Sequence, residues 1–260
     1  MKIQALIFDL DGTAIPSKVN GMPSEAVIKA VQQAKGQCHV SIASGRPYPY
    51  AQPILESLGI DDLCILSGGA VIYSIRDHKN VWQQQMDPEG IEEVLFPLKS
   101  FVGDHIMETD AETFKKYPVQ AFSLKQPVNM ACVYAVTAEE ASQIVESTKS
   151  ISGFAAHVMS SWTPGMLDVH ITHELATKKH AMQALLAMLN VDHRYAMAVG
   201  DGGNDLPLFE LAGIKVAMGN ASETLKNAAD WIAPSVYDDG LAHAIERYIL
   251  FPTPHEQDCS

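Results

Sequence analysis

The run Ala5-Leu6-Ile7-Phe8 ends abruptly at Asp9-Leu10-Asp11-Gly12-Thr13, and this junction constrains the chain more than any other stretch. Four consecutive apolar residues bounded by polar ones have the character of a strand buried on both faces, the condition of a parallel sheet covered by helices. Side chains alternate along an extended backbone, so Asp9 and Asp11 are expected on one side while Leu10 packs on the other. Two carboxylates in one small volume repel unless a cation joins them or one keeps its proton, and such pairs cluster at functional sites. Gly12 permits a sharp turn, and the Thr13 hydroxyl and nearby amides can face an anion. A plain acidic turn after a strand would use the same residues.

Later strand ends tilt the balance toward chemistry. Pro23-Ser24-Glu25 opens a helix with Ser24 as N-cap and Val27, Ala30, Val31 and Ala34 on one face, stopped at Gly36. His39 to Ala43 reads as the next strand and leads into Ser44-Gly45-Arg46-Pro47, a hydroxyl, a glycine and a cation. Ligands of open parallel sheets bind beyond the carboxyl ends of strands, so adjacent strands would bring Ser44 and Arg46 to Asp9. A helix over 50–58 closing at Gly59, a strand over 63–66 running into Ser67-Gly68-Gly69, and a hairpin over 70–85 follow. Thr177 introduces a helix with an expected buried face of Ala181, Ala184, Leu185, Met188 and Leu189. Lys178 sits in its first turn, where the dipole disfavours a cation unless it is aimed at something negative. Tyr195 to Val199 is a further buried strand, ending in Gly200-Asp201-Gly202-Gly203-Asn204-Asp205. Two aspartates beside glycines suit a hard divalent cation, which prefers oxygen ligands. A strand over 214–218, a short helix capped by Ser222 and a last helix from Asp239 to Leu250 precede a polar tail.

The middle of the chain has a different grammar. Asp87-Pro88 is placed to start an amphipathic helix, Asn129 to Val136 alternates as a strand, and Thr137 with Glu140 forms a capping box for a helix through Lys149. Phe154 to Trp162 and Met166 to Thr172 then read as a strand pair around Thr163-Pro164-Gly165. Strands, helix and strands joined by antiparallel turns indicate a separate α+β domain over 82–172, inserted between core segments 1–81 and 173–260. His157, His170, His173 and His180 match no zinc-site spacing.

Composition limits the partners. The formal charge of −13 argues against nucleic acid or an anionic membrane, both of which need a basic surface. An anionic substrate would then rely on a few placed Lys or Arg residues or on a bound metal. The four cysteines, Cys38, Cys64, Cys132 and Cys259, are too scattered for a disulfide framework, which fits a reduced, cytoplasmic setting. No uninterrupted apolar stretch reaches the roughly 18 residues of a membrane span.

In order and content the strand ends resemble the haloacid dehalogenase superfamily of phosphohydrolases. Its first motif is matched by Asp9-Leu10-Asp11-Gly12-Thr13, its second by Ser44, its third by Lys178 and its fourth by Gly200-Asp201-Gly202-Gly203-Asn204-Asp205. Ala43-Ser44-Gly45-Arg46-Pro47, the large insert and Val216-Ala217-Met218-Gly219-Asn220-Ala221 are similar to the Cof-type branch, subfamily IIB. This chain departs from the family pattern at Ala14, at Lys179, and at Gly68-Gly69-Ala70, where relatives carry Asn-Gly-Ala. The resemblance implies a doubly wound, mostly parallel, Rossmann-like α/β core with an inserted α+β cap that acts as a lid. It implies a Mg²⁺-dependent phosphatase of small phosphate monoesters, sugar phosphates foremost, working through an aspartyl-phosphate. Asp9 would be the nucleophile and Asp11 the general acid and base. Mg²⁺ would be held by Asp9, the backbone carbonyl of Asp11, Asp201 and Asp205. Phosphate contacts would come from Leu10, Gly12, Thr13, Ser44, Gly45, Arg46, Lys178 and Asn204. A phosphosugar mutase and a silent phosphate-binding regulator are the alternatives.

Overall fold

Strand β1, Ala5–Phe8, lies at the centre of the main sheet with its side chains sealed from solvent. Leu6, Ile7 and Phe8 have no exposed surface, so both faces of the strand are covered, as the unbroken apolar run requires. The computed structural model describes residues 2–17, 20–87, 90, 105–109, 113–115, 127–161 and 163–252. The chain divides into two compact units, one from Met1–Val81 with Lys178–Ser260, the other Trp82–Thr177.

The first unit begins with β1, α1 (Glu25–Ala34), β2 (His39–Ile42), α2 (Tyr48–Leu58), β3 (Leu63–Leu66) and β4 (Val71–Ser74), and β5 (Lys79–Gln83) runs across the boundary at Val81. Ser24 caps α1 by accepting the Val27 N–H, and Val27, Ala30, Val31 and Ala34 are its buried face. Helix α2 starts at Tyr48, earlier than the sequence suggested, because Pro49 fits the first helical turn, where its missing N–H costs nothing. It closes at Gly59 with φ of 69°, a left-handed cap that glycine adopts without strain.

The second unit holds β6 (His105–Thr109), β7 (Thr113–Lys115), β8 (Val128–Val136), α3 (Ala138–Lys149), β9 (Phe154–Ser160) and β10 (Leu167–His173). Its sheet has the order β7-β6-β8-β10-β9, and each pairing with a determined register is antiparallel. Ala131, Val133, Val169 and Ile171 from β8 and β10 share a core with Ala141 and Ile144 of α3. The β8–β10 register shifts between Leu167 and Val169. There Ala135 takes φ of 52° and its N–H donates to the Asp168 carboxylate, which satisfies the group the bulge frees. The helix expected from Asp87-Pro88 lies outside the described residues.

The chain re-enters the first unit through α4 (Lys178–Leu189), β11 (Ala196–Gly200), α5 (Leu206–Phe209), β12 (Ile214–Ala217), α6 (Glu223–Asn227), β13 (Trp231–Ile232) and α7 (Gly240–Ile245). The junction falls at Thr177–Lys178 rather than at 172–173, because β10 runs on through His173 and the Glu174 N–H bonds the Gly153 carbonyl of the same unit. The buried side of α4 also differs from expectation: it is Lys178, Ala181, Met182, Leu185 and Leu186, with Met188 45% exposed. The main sheet has the order β13-β12-β11-β1-β2, parallel throughout. Strand β13 has only two residues and gave no readable signal in the sequence. Phe8 lies opposite both Val199 and Ile42, so β1, β11 and β2 end side by side. A parallel bridge between Ala43 and Ile65 attaches β3 beyond β2. Among the described residues no helix is long and apolar enough to cross a membrane.

The cap of α3 offers a clean stability test. The Thr137 hydroxyl accepts the Glu140 N–H while the Thr137 N–H donates to the Glu140 carboxylate, with Thr137 exposed and Glu140 half-buried. Thr137→Ala is expected to cost about 1 kcal/mol in the unfolding of the second unit, read as a lowered urea midpoint with unchanged slope.

Candidate active site

The register of the main sheet brings residues far apart in sequence to one edge. Asp9 continues the β1–β11 ladder by donating its N–H to the Val199 carbonyl, so its backbone is fixed where the strand stops. Asp9 is 5% exposed, and Asp205 and Lys178 are as deeply buried. Lys178, the first residue of α4, donates from Nζ to Asp9 Oδ1 at 2.7 Å and to Asp205 Oδ1 at 2.6 Å. The other Asp205 oxygen accepts the N–H groups of Asp201 and Gly202, both at 3.0 Å, which folds the β11 turn around it. Oxygens of Asp9, Asp201 and Asp205 all lie within 4.8 Å of one another.

Two glycines allow this crowding. A Cβ at Gly12, where φ is 80°, would stand 2.0 Å from Asp201 Oδ2, and one at Gly200 would stand 2.5 Å from Asp205 Oδ2. Asn220 braces the same place: its amide donates to the Gly12 carbonyl at 2.9 Å and to Asp201 Oδ2 at 3.2 Å, and its oxygen accepts the Val236 N–H. Sequence reasoning gave Asn220 no role. It stood only as one letter of the Val216 to Ala221 run, and nothing local marked its side chain as a tie between three loops.

Asp11 takes a separate partner. Arg46 grips it twice, Nε to Oδ2 at 2.7 Å and Nη2 to Oδ1 at 2.5 Å, so its carboxylate is not one of the three that cluster among the described residues. The expectation that Asp9 and Asp11 share one volume is therefore met only in part, since the chain turns at Leu10 and the strand alternation no longer applies. The Gly12 N–H donates to Ile15 O and the Thr13 N–H to Leu10 O, which commits both amides to the turn rather than to an anion. Thr13 Oγ1 is buried and has no hydrogen-bond partner among the described residues. Ser44 is fully buried, and its Oγ accepts the Arg46 N–H. The loop after β3 locks on: Ser67 N–H donates to Arg46 O and Gly68 N–H to Ser44 O. Asn204 is exposed, and its side-chain oxygen lies beside Gly202.

A family model described as haloacid dehalogenase-like hydrolase matches residues 6–245. The chain belongs to that family. Phosphoglycolate phosphatase of Halobacterium salinarum is 27% identical over 242 residues, covering 93% of this chain and 96% of the relative. In fold the chain is similar to a haloacid dehalogenase-like hydrolase from B. subtilis, with a TM-score of 0.82 at 21% identity over 95% of this chain and 100% of that one. It is likewise similar to the subclass IIB sugar phosphatase BT4131, with a TM-score of 0.76 at 20% identity over 94% of this chain and 98% of that one. This haloacid dehalogenase-like hydrolase is of the Cof type and is a phosphatase.

The charge balance of the hydrolase site fits a divalent cation. Burial, then the neighbouring Asp205 and Asp201 carboxylates, hold Asp9 well above the usual carboxylate range, although Lys178 pulls the other way. Burial and Asp205 push Asp201 up to about 7 against the same ammonium. Burial alone would lower Lys178, yet Asp205 and Asp9 outweigh it and keep the ammonium charged above its ordinary value. Three acids therefore surround one base, and a hard cation among their oxygens would supply the missing positive charge. An acid whose folded pKa exceeds its unfolded one favours the fold below the unfolded value of 3.8, and that advantage is lost as pH rises through about 7. A bound cation would take the proton's place. Mg²⁺ is thus expected to raise the melting temperature by several degrees more at about pH 8 than at about pH 5, followed by calorimetry. An equal shift at both would place Mg²⁺ binding away from these acids.

Proposed function

We propose that this phosphatase hydrolyses small phosphate monoesters, sugar phosphates foremost, by way of an aspartyl-phosphate on Asp9, with Mg²⁺ as cofactor. The observation that carries the reading is the burial of Asp9 at the end of β1, within reach of Lys178 and of the carboxylates of Asp201 and Asp205. Asp9, Asp201, Asp205 and the main-chain carbonyl of Asp11 would hold Mg²⁺, which when bound neutralises the acids and withdraws charge from the phosphoryl oxygens. The substrate class rests on the relatives, one named a phosphoglycolate phosphatase and another a sugar phosphatase.

The chain's own groups supply the rest. An Asp9 oxygen forms a bond to phosphorus as the ester oxygen departs, and Asp11 gives that oxygen its proton. Water then attacks the same phosphorus, Asp11 takes up one of its protons, and the Asp9 carboxylate is regenerated as phosphate leaves. Phosphoryl transfer asks the protein chiefly for positioning and for charge at the equatorial oxygens. Lys178 is the fixed cation beside Asp9, and the hydroxyls of Ser44 and Thr13 are donors that protein partners do not exhaust. Among the described residues, none of the turn's main-chain bonds uses the N–H of Leu10 or Asp11, so these amides are the turn's contribution.

Asp9→Asn is expected to lower phosphate release by roughly 10⁴-fold or more while circular dichroism and Mg²⁺-free melting stay near wild type. The assay is free phosphate from a panel of sugar phosphates with and without Mg²⁺. Retained turnover in the variant would remove Asp9 from its assigned role, and phosphate release only in the presence of a sugar bisphosphate would favour a mutase.

A further inference from the structure

Arg46 is anchored at both ends. Its N–H donates to Ser44 Oγ, its carbonyl accepts the Ser67 N–H, and its guanidinium reaches the Tyr50 carbonyl at 3.4 Å. Its Nε and Nη2 donate to the two oxygens of Asp11, at 2.7 and 2.5 Å. A planar guanidinium paired with a carboxylate through two parallel bonds fixes orientation as well as distance, which a lysine cannot do. Asp11 is thereby held off from the cluster of Asp9, Asp201 and Asp205 and given a cation of its own. The guanidinium N–H groups spent on Asp11 are not at the same time available to a phosphoryl oxygen, the role the sequence suggested for Arg46.

We propose that Arg46 is a positioning residue for proton transfer by Asp11, which it holds in place and whose developing charge it stabilises. This rests on the reaction set out above. As the ester breaks, the Asp11 O–H bond is lost, a bond to hydrogen forms on the leaving oxygen, and the electron pair stays on the carboxylate. The guanidinium binds a carboxylate more strongly than a carboxylic acid, so its contribution grows toward the transition state and lowers the barrier rather than merely tightening substrate binding. When water attacks the aspartyl-phosphate, the same pair presents Asp11 as a fixed carboxylate to receive the proton.

Leaving-group dependence separates this from a phosphate contact. Phenyl phosphate releases a phenol that needs the proton, whereas p-nitrophenyl phosphate, of nearly the same shape, releases a phenolate that needs it far less. In Mg²⁺-loaded enzyme, Arg46→Ala is expected to lower kcat/KM for phenyl phosphate about tenfold more than for p-nitrophenyl phosphate. Guanidinium ion in the buffer is expected to restore part of the difference. Arg46→Lys, which keeps the charge and loses the fork, should fall between. Because the readout is a ratio of two esters in one preparation, partial misfolding cancels. Asp11→Asn should show the same selectivity, with Arg46→Ala adding little to it in the double variant. Equal loss on both esters in Arg46→Ala, carried by KM, would overturn the proposal and return Arg46 to the phosphate, provided Asp11→Asn remains selective. Equal loss in Asp11→Asn would overturn the acid role of Asp11 itself, and the proposal with it.

Discussion

Buried negative charge in excess of buried positive charge is the constraint from which the site follows. Asp9 and Asp205 bind a single ammonium, Lys178, all three almost without solvent, and the half-buried Asp201 carboxylate lies beside them. Taking charges out of water is costly, and the cost is tolerable only when each is met by opposite charge or by hydrogen bonds. The fold meets part of the demand: Asp205 has two main-chain donors and the ammonium, and Asp201 has the Asn220 amide. It leaves Asp9 with Lys178 and with carboxylate neighbours that raise its proton affinity. A protein does not keep such an imbalance for stability, since a packed apolar cluster would do that better. In the reaction proposed above, a cation and a phosphoryl group would enter the site and offset the imbalance.

Topology makes the imbalance possible at a distance of nearly two hundred positions along the chain. β1 is the middle strand, and its neighbours β2 and β11 come from opposite ends of the first unit. Parallel strands point their carboxyl ends the same way, so three separate loops meet at one edge without any of them needing to be long. Gly12 and Gly200 then let the loops close to distances that a single methyl group would forbid. Gly68 shows how a departure from the family pattern is absorbed. Its φ is 70°, a conformation open to glycine and, among side-chain-bearing residues, most readily to asparagine. The Gly68 N–H donates to the Ser44 carbonyl, a bond that needs no side chain at this position.

Much of this was legible from residue order. The strands 5–8 and 63–66, the caps at Ser24, Thr137 and Ser222 and the left-handed stop at Gly59 agree with their local signals, because each is decided within a few residues. The phase of α4 was not. Apolar residues lie on several sides of that helix, and periodicity alone favoured a face through Ala184 and Met188. The structure instead turns Lys178 inward, and Met182, Leu185 and Leu186 follow at the spacings that share its side. A charged residue, bound to two acids on other elements, set the orientation of an otherwise apolar helix. Asn220 was missed for a related reason: its three bonds go to residues remote in sequence, which no local pattern encodes.

The two aspartates of the first loop illustrate how environment divides chemically identical groups. Asp9 is sealed in, with an ammonium and two carboxylates for company. Asp11, two positions on, has 28% of its side chain exposed and is gripped by a guanidinium. A nucleophile must be held against phosphorus and stay there, which suits the buried position fixed by the β1–β11 ladder. A group that gives and then takes a proton must exchange with both the ester oxygen and water, which suits a carboxylate at the rim whose orientation is held from behind. Leu10 between them is completely buried, and it anchors the turn through its carbonyl, which accepts the N–H groups of Ala14 and Ile15 at 2.9 Å. The division of labour in the proposed reaction thus depends on an apolar side chain: by fixing where the strand ends and the turn begins, Leu10 decides that one acid faces inward and the other outward.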